Sequence, residues 1–293
     1  MYILLNILIF LTVLFLYIHI NFYLTTSNYL EIYEIEFQSK EKFEELCNLK
    51  QPLLIKNFIF NDDIILNNFN LTNINSNYGN FDIKLYTKEN SSIPVYIDFK
   101  KGLEIFKNDT SSNYLSENNQ DFLTETSLVK KLSTIDYLLR PYGVSTIDYD
   151  IIMGSTDSYT SFKYTLKPRN FLYVVDGEAN ITLTIPDNNK YLHIEKDYNN
   201  NEFYSTIDIY NVTDNFIKDY NKIKFMKLVL NKGDLLYIPS YWFYSIRLTT
   251  CETTVINFKY ETYTSLVSIL PTIIQSYLQN KNIKNNFLKL YNK

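Results

Sequence analysis

Two histidines, two cysteines and six glycines in a chain of 293 residues narrow what it can do. His19 lies in an apolar run, which leaves His193 as the one imidazole elsewhere. A Ser-His-Asp set and a metal site built on two imidazoles are therefore out of reach. The few glycines form neither a GxGxxG nor a Walker A pattern, so the usual backbone cradles for phosphate are missing. Cys47 and Cys251 stand far apart and form no CxxC; they read as buried thiols rather than a disulfide or metal pair, and they leave the redox compartment open. Positive charge is scarce too. The net charge is −4, and no basic block precedes a mild lysine tail (Lys281, Lys284, Lys289, Lys293), so a nucleic-acid-binding face is not expected.

What the chain does have is apolar and aromatic matter: 46% hydrophobic and 16% aromatic residues, rich in Ile and Val, which favours strands. The length fits one large or two small domains. Residues 2–24, "YILLNILIFLTVLFLYIHINFYL", carry no charge at neutral pH and match the roughly 20 residues that span a bilayer. A cleaved signal peptide is the rival reading, but there is no basic leader segment and no A-x-A-like site. The expectation is a transmembrane signal-anchor over 1–25, single-pass, of unassigned topology. Five N-x-S/T sequons (Asn70, Asn90, Asn108, Asn180, Asn211) would matter only on a lumenal or external face.

Beyond that run, "SKEKFEELCNLK" (39–50) predicts a short helix capped by Ser39, and "QPLLIKNFI" a strand. Residues 61–125 are polar with short strand-like pieces. "SLVKKLSTIDYLLR" (127–140) predicts a helix stopped by Pro141 and Gly143. From 148 onward short β runs alternate with turn signals, as in a jelly roll, interrupted by a polar excursion over 187–222. The end of the chain is helical in period, broken at Pro271.

Several of these pieces together resemble the Jumonji C and cupin-like-8 group. "QPLLIKNFI" is similar to its opening strand, "NFLYVVDGEANITLTIP" to its central hairpin, and "MKLVLNKGDLLYIPSYWFYSI" with "TTVINFKYETY" to its second half. The resemblance spans roughly residues 30–265, and the GDLLYIPS-x-W run is its most specific element. It implies a mainly β fold: a double-stranded β-helix over about 148–262 inside a domain of 26–293, with flanking helices and C-terminal helices over 263–293.

Active members of that group hold Fe(II) with an H-x-D pair and a distal His, leaving room for 2-oxoglutarate. By resemblance the distal His falls on Tyr244. The H-x-D falls on Tyr164 and Leu166, or with a one-residue bulge on Lys163 and Thr165. The group's co-substrate lysine falls on Ala179. Asp157 and Asp176 are nearby in sequence but lie at a strand's start and in a hairpin turn. Asn170 and Asn257 fall on positions lining the co-substrate end, and Lys259 shares a strand face with Asn257. These three form a candidate anion-binding pocket, the bland alternative being a solvated lysine at the barrel's lip. Tyr237, Trp242, Phe243 and Tyr244 read as packing rather than as a sugar platform. The expected function is a membrane-anchored, non-catalytic binding or structural module without cofactor, whose ligand is a protein partner or a small anion. The competing readings are a 2-oxoglutarate/Fe(II)-dependent hydroxylase and a small-anion or glycan-binding module.

Overall fold

The structure is a computed structural model that describes residues 2–60, 68–88, 93–197 and 202–291. The sequon at Asn90 and the start of the polar stretch at 61–67 lie outside the described residues. Two largely antiparallel sheets face each other. β6 (Val144–Gly154), β8 (Arg169–Asp176), β13 (Leu235–Ile238) and β15 (Thr254–Thr262) form the centre of a nine-stranded sheet, with β1 (Tyr33–Ile35) and β2 (Leu53–Ile55) on one side and β3 (Asp82–Thr87), β4 (Val95–Asp98) and β5 (Tyr114–Ser116) on the other. β7 (Lys163–Thr165), β9 (Glu178–Thr184), β12 (Met226–Asn231) and β14 (Phe243–Leu248) form most of a six-stranded one. Successive strands from β6 to β9 and from β12 to β15 alternate between the two sheets, which is the expected double-stranded β-helix.

Alternation along the strands sorts the core. Leu172, Val174, Ile181, Leu236, Ile246 and Val255 pack together between the sheets. Phe171, Tyr173, Tyr237, Phe258 and Tyr260 point out of the large sheet, onto a second core built with the helices. The β8–β9 turn needs glycine: Gly177 has φ +73°, and a Cβ there would stand 2.8 Å from the Thr253 Cα.

Ser39 caps the helix Lys40–Cys47 by accepting from the Lys42 amide, as expected. The polar stretch before residue 125 carries more helix than its composition suggests, over Leu71–Tyr78, Phe99–Asn108 and Gln120–Glu125. Asparagine is a poor helix former, but Ile74, Phe99, Phe106 and Phe122 bury completely, and that burial overrides propensity. The helix expected over 127–140 ends its α-turns at Ile135 and tightens to a 3₁₀ turn over Asp136–Leu138. The polar excursion supplies a hairpin, β10 (Ile194–Asp197) and β11 (Glu202–Ser205), that extends the smaller sheet beside β7. The final helices are Tyr263–Ser268 and Leu270–Tyr291. Both cysteines are free; Cys47 is buried and Cys251 half-buried, and burial pushes the Cys47 thiol up to about 12. The helix Tyr2–Leu24 buries none of its residues against the rest of the chain.

Candidate functional site

The register of β7 settles which of its side chains enter the barrel. Lys163 pairs directly with Tyr244, and paired residues share a sheet face. Tyr244 is fully buried in the cluster between the sheets. Lys163, and by alternation Thr165, therefore face inward. Tyr164 and Leu166 face the other way, into a cluster under the β10–β11 hairpin; the Tyr164 ring lies 4.9 Å from Phe203 and 4.7 Å from Phe243. Of the two registers open in the sequence, the inward one is the bulged one.

The rest of the polar interior follows from the large sheet. β15 sits between β6 and β8, so Asp148, Lys259 and Asn170 form one row across three strands. Asp150, Asn257 and Leu172 form the next. Asn170, Asn257 and Lys259 are thus brought together, all buried. The solvated-lip alternative for Lys259 does not match its burial. Asp150, Glu117 and Glu261 lie buried in the same interior, and Asp148, 31% exposed, stands at its edge.

Glu117 is the residue that sequence reading misses altogether. It follows β5 (Tyr114–Ser116), and its Oε2 accepts from Lys163 Nζ at 2.8 Å, with both side chains nearly sealed from solvent. The loop that carries it is latched from inside. Asp150 accepts from the Asn118 and Asn119 amides at 2.8 and 2.7 Å, and Asn118 takes a left-handed φ of 60° to allow it. Asn119 then donates to Ser116 Oγ and to the Ile151 carbonyl. At the other end of the polar half Lys167 pairs with Asp148. The one local signal was the alternation in "DYDIIMG", which puts Asp148 and Asp150 on the face of Ile152.

Charges in this interior nearly balance: Lys163, Lys167 and Lys259 against Glu117, Asp148, Asp150 and Glu261. Burial raises the Asp150 carboxyl, against the attraction of Lys259. Burial likewise pushes Glu261 up to about 7, partly offset by the hydroxyl of Ser265 and the charge of Lys167. The sign of the linkage follows. A carboxyl raised on folding contributes stability that is complete below its unfolded value and is lost as pH rises through about 7. Glu261→Gln removes that loss, so the variant is expected to gain about 1–3 kcal/mol over wild type at pH 8 relative to pH 5. Urea unfolding at the two pH values measures it; an equal difference at both would mean the carboxyl titrates normally.

Some interior polar atoms have no hydrogen-bond partner among the described residues: both amide atoms of Asn170, Asn257 Oδ1, the Tyr244 hydroxyl and Trp242 Nε1. Each would cost about 1–3 kcal/mol if left unmet, so this half of the barrel is chemically suited to a small polar guest. Beside Glu117 the barrel mouth opens into a cleft of about 220 Å³, walled by Tyr86, Tyr159 and Tyr210. The rings of Tyr159 and Tyr210 lie 4.3 Å apart, and the Tyr159 hydroxyl donates to Asp208 at 2.7 Å.

The remaining candidates lie outside the interior. His193 is a loop residue whose Nε2 is 3.0 Å from Asp219, and His19 lies in the apolar helix with Nδ1 2.8 Å from the Phe15 carbonyl oxygen. Asp157 pairs with Arg247 and Asp176 with Lys232. Tyr237, Trp242, Phe243 and Tyr244 are all at most 1% exposed, so none can stack a sugar at the surface. Ala179 lies in the apolar half of the barrel, opposite Leu248 and Leu230.

The family model for the cupin-like domain matches residues 39–265. A search of curated proteins found no match to the chain.

Proposed function

Because the chain belongs to the cupin-like domain family, we propose that its barrel works as a non-catalytic, membrane-anchored binding or structural module. The observation that carries this reading is the Glu117–Lys163 ion pair at the inward end of β7. The iron site that the resemblance implies needs imidazoles and a carboxylate converging on one face. The inward positions here offer an ammonium, a hydroxyl and a phenol, and an ammonium repels a metal cation. Among the described residues no three His, Cys, Asp or Glu side chains are grouped to hold a metal ion. These residues do not fit divalent iron, and no redox step is assigned to them. The chain is expected to bind no stoichiometric Fe(II) and to convert no 2-oxoglutarate to succinate when Fe(II) and ascorbate are supplied. One tightly bound iron per chain, with turnover, would overturn the reading.

Anchoring rests on the Tyr2–Leu24 helix, long and apolar enough to cross a membrane. A core helix in a soluble protein would be covered, and this one is not. The full chain should stay in the membrane pellet through carbonate extraction; recovery of a mature chain starting near residue 25 would identify a cleaved signal instead.

A second reading is favoured by the unpartnered amide of Asn170 and the unpartnered Oδ1 of Asn257: a small polar ligand held inside the barrel. The surrounding carboxylates already balance Lys259, so a neutral guest suits the site better than a dicarboxylate. Calorimetric titration with 2-oxoglutarate, citrate and neutral sugars on wild type and Asn170→Leu separates these cases.

A further inference from the structure

The apolar helix does not hang from the domain as a loose tether; its last turn is fastened to it. The Tyr23 hydroxyl accepts from Thr262 and Thr264, each at 3.0 Å. The last carbonyls of a helix have no partner within it. Lys50, from the folded domain, supplies one: its ammonium donates to the carbonyls of Phe22 and Thr25 and stands 4.4 Å from the centre of the Phe22 ring. The helix also packs against Tyr263–Ser268.

Between this exit and the domain lies a crevice of about 450 Å³. One wall is helix: Ile18, His19, Phe22. The other is domain: Tyr142, Arg169 and Thr264. Arg169 is 7% exposed. Its Nη2 donates to Glu44 at 2.8 Å and Asn48 at 2.6 Å, while its Nε has no partner among the described residues. Glu44 also lines the crevice and is the one carboxylate among its described lining residues. Lys50 does not line the crevice itself, but its ammonium sits beside it on the Phe22 and Thr25 carbonyls, so Arg169 and Lys50 together exceed Glu44 by one positive charge. The crowding is visible in Lys50, whose ammonium is pulled down to about 8, first by burial and then by the charge of Arg169. At the rim Lys40 stands 4.2 and 5.2 Å from the ring centres of Tyr137 and Tyr142, both exposed. Excess positive charge, an unspent buried donor and an apolar wall occur together.

Height supplies the rest. Twenty-three helical residues rise about 35 Å, enough to cross a hydrocarbon core of about 30 Å. With the helix in a bilayer, its last turn and the crevice stand at the level of the lipid headgroups, where tyrosines collect. We propose that this crevice binds the phosphate of a membrane phospholipid, with anionic lipid preferred, one acyl chain lying along Ile18 and Phe22. The phosphate would lie against the Arg169 guanidinium with the Lys50 ammonium nearby and relieve their mutual repulsion. The proposal rests on the anchor reading of Tyr2–Leu24.

The test uses the full chain in lipid nanodiscs of phosphatidylcholine with and without phosphatidylglycerol, followed by native mass spectrometry of the released protein. Wild type is expected to retain one phosphatidylglycerol per chain, and Lys50→Gln to lose it at least about tenfold more readily. Lys50→Gln keeps an amide donor for the helix carbonyls, which guards against loss of docking. Arg169→Gln is the stronger variant, but its bond to Glu44 makes misfolding a risk, so crosslinking provides a second readout. A photoactivatable phosphatidylglycerol is expected to label the segments around residues 18–23 and 141–142 in wild type. Displacement of the retained lipid by millimolar inorganic phosphate would support the phosphate subsite. Saturable phosphate binding with no lipid retained would overturn the lipid assignment. Equal retention of both lipids by wild type and Lys50→Gln, or labelling spread evenly along the helix, would overturn the site. Carbonate extraction scores the anchor separately, so loss of the anchor and loss of the lipid site are distinguishable.

Discussion

Glu117→Gln is expected to destabilise the domain by about 1–3 kcal/mol, because it replaces the charged acceptor bonded to a buried ammonium with a neutral one. Lys163 and Glu117 are both nearly sealed, and the pair joins β7 to a loop 46 residues earlier in the chain. The Lys163 ammonium also stands 5.6 Å from the centre of the Tyr204 ring, so water cannot easily replace the lost carboxylate. Removing both charges tells a different story. Bringing two ions out of water is costly, and an apolar pair of similar volume often does as well. Glu117→Leu combined with Lys163→Met is therefore expected to recover most of the loss, to within about 1 kcal/mol of wild type. Chemical denaturation of the four proteins in a double-mutant cycle gives the coupling directly. A loss below about 1 kcal/mol for Glu117→Gln would place the pair in solvent, as exposed pairs behave.

Converting the inward positions into a metal site should produce the largest gain of any variant. His at 163, Asp at 165 and His at 244 stand on one face, because Lys163 and Tyr244 are directly paired and Thr165 follows on the same face. The triple variant Lys163→His, Thr165→Asp, Tyr244→His is expected to bind a divalent ion in the micromolar range, a binding free energy of about −8 kcal/mol at 1 M standard state. Glu117, left without its lysine, would then have the metal cation as its counter-charge. The control is Tyr164→His, Leu166→Asp, Tyr244→His. Its first two side chains point into the cluster around Phe203 and Phe243, so it should bind nothing and lose stability through buried polar groups. Equilibrium dialysis with Co(II) and its visible spectrum separates the two. Binding by the control, or by neither, would show that β7 does not sit in the register described.

How much of this was legible beforehand depends on the range of the interaction involved. Period-two alternation is local, so it grouped Asn257 with Lys259, while the resemblance alone put Asn170 on the barrel side of β8. Composition is more local still: with one imidazole outside the apolar run, a two-His site was excluded in any register. The same holds for the Ser39 cap and for a helix of bilayer length. The asparagine-rich stretch misled because its helices draw on Ile74, Phe99 and Phe122 reaching a distant core, and propensity averages cannot see that.

The sequence by itself determined the fold class, the faces of the long strands and the absence of the histidines that iron would need. Tertiary structure alone decided which residues of β7 turn inward, since a one-residue slip reverses every side chain and only pairing with β14 selects between the two. It alone brought Glu117 to Lys163 and Asp150 beneath the loop that carries Glu117. It also seated the end of the apolar helix on Lys50, Thr262 and Thr264. Those contacts join segments tens to hundreds of residues apart, and no periodicity within a segment can encode which distant partner it will meet.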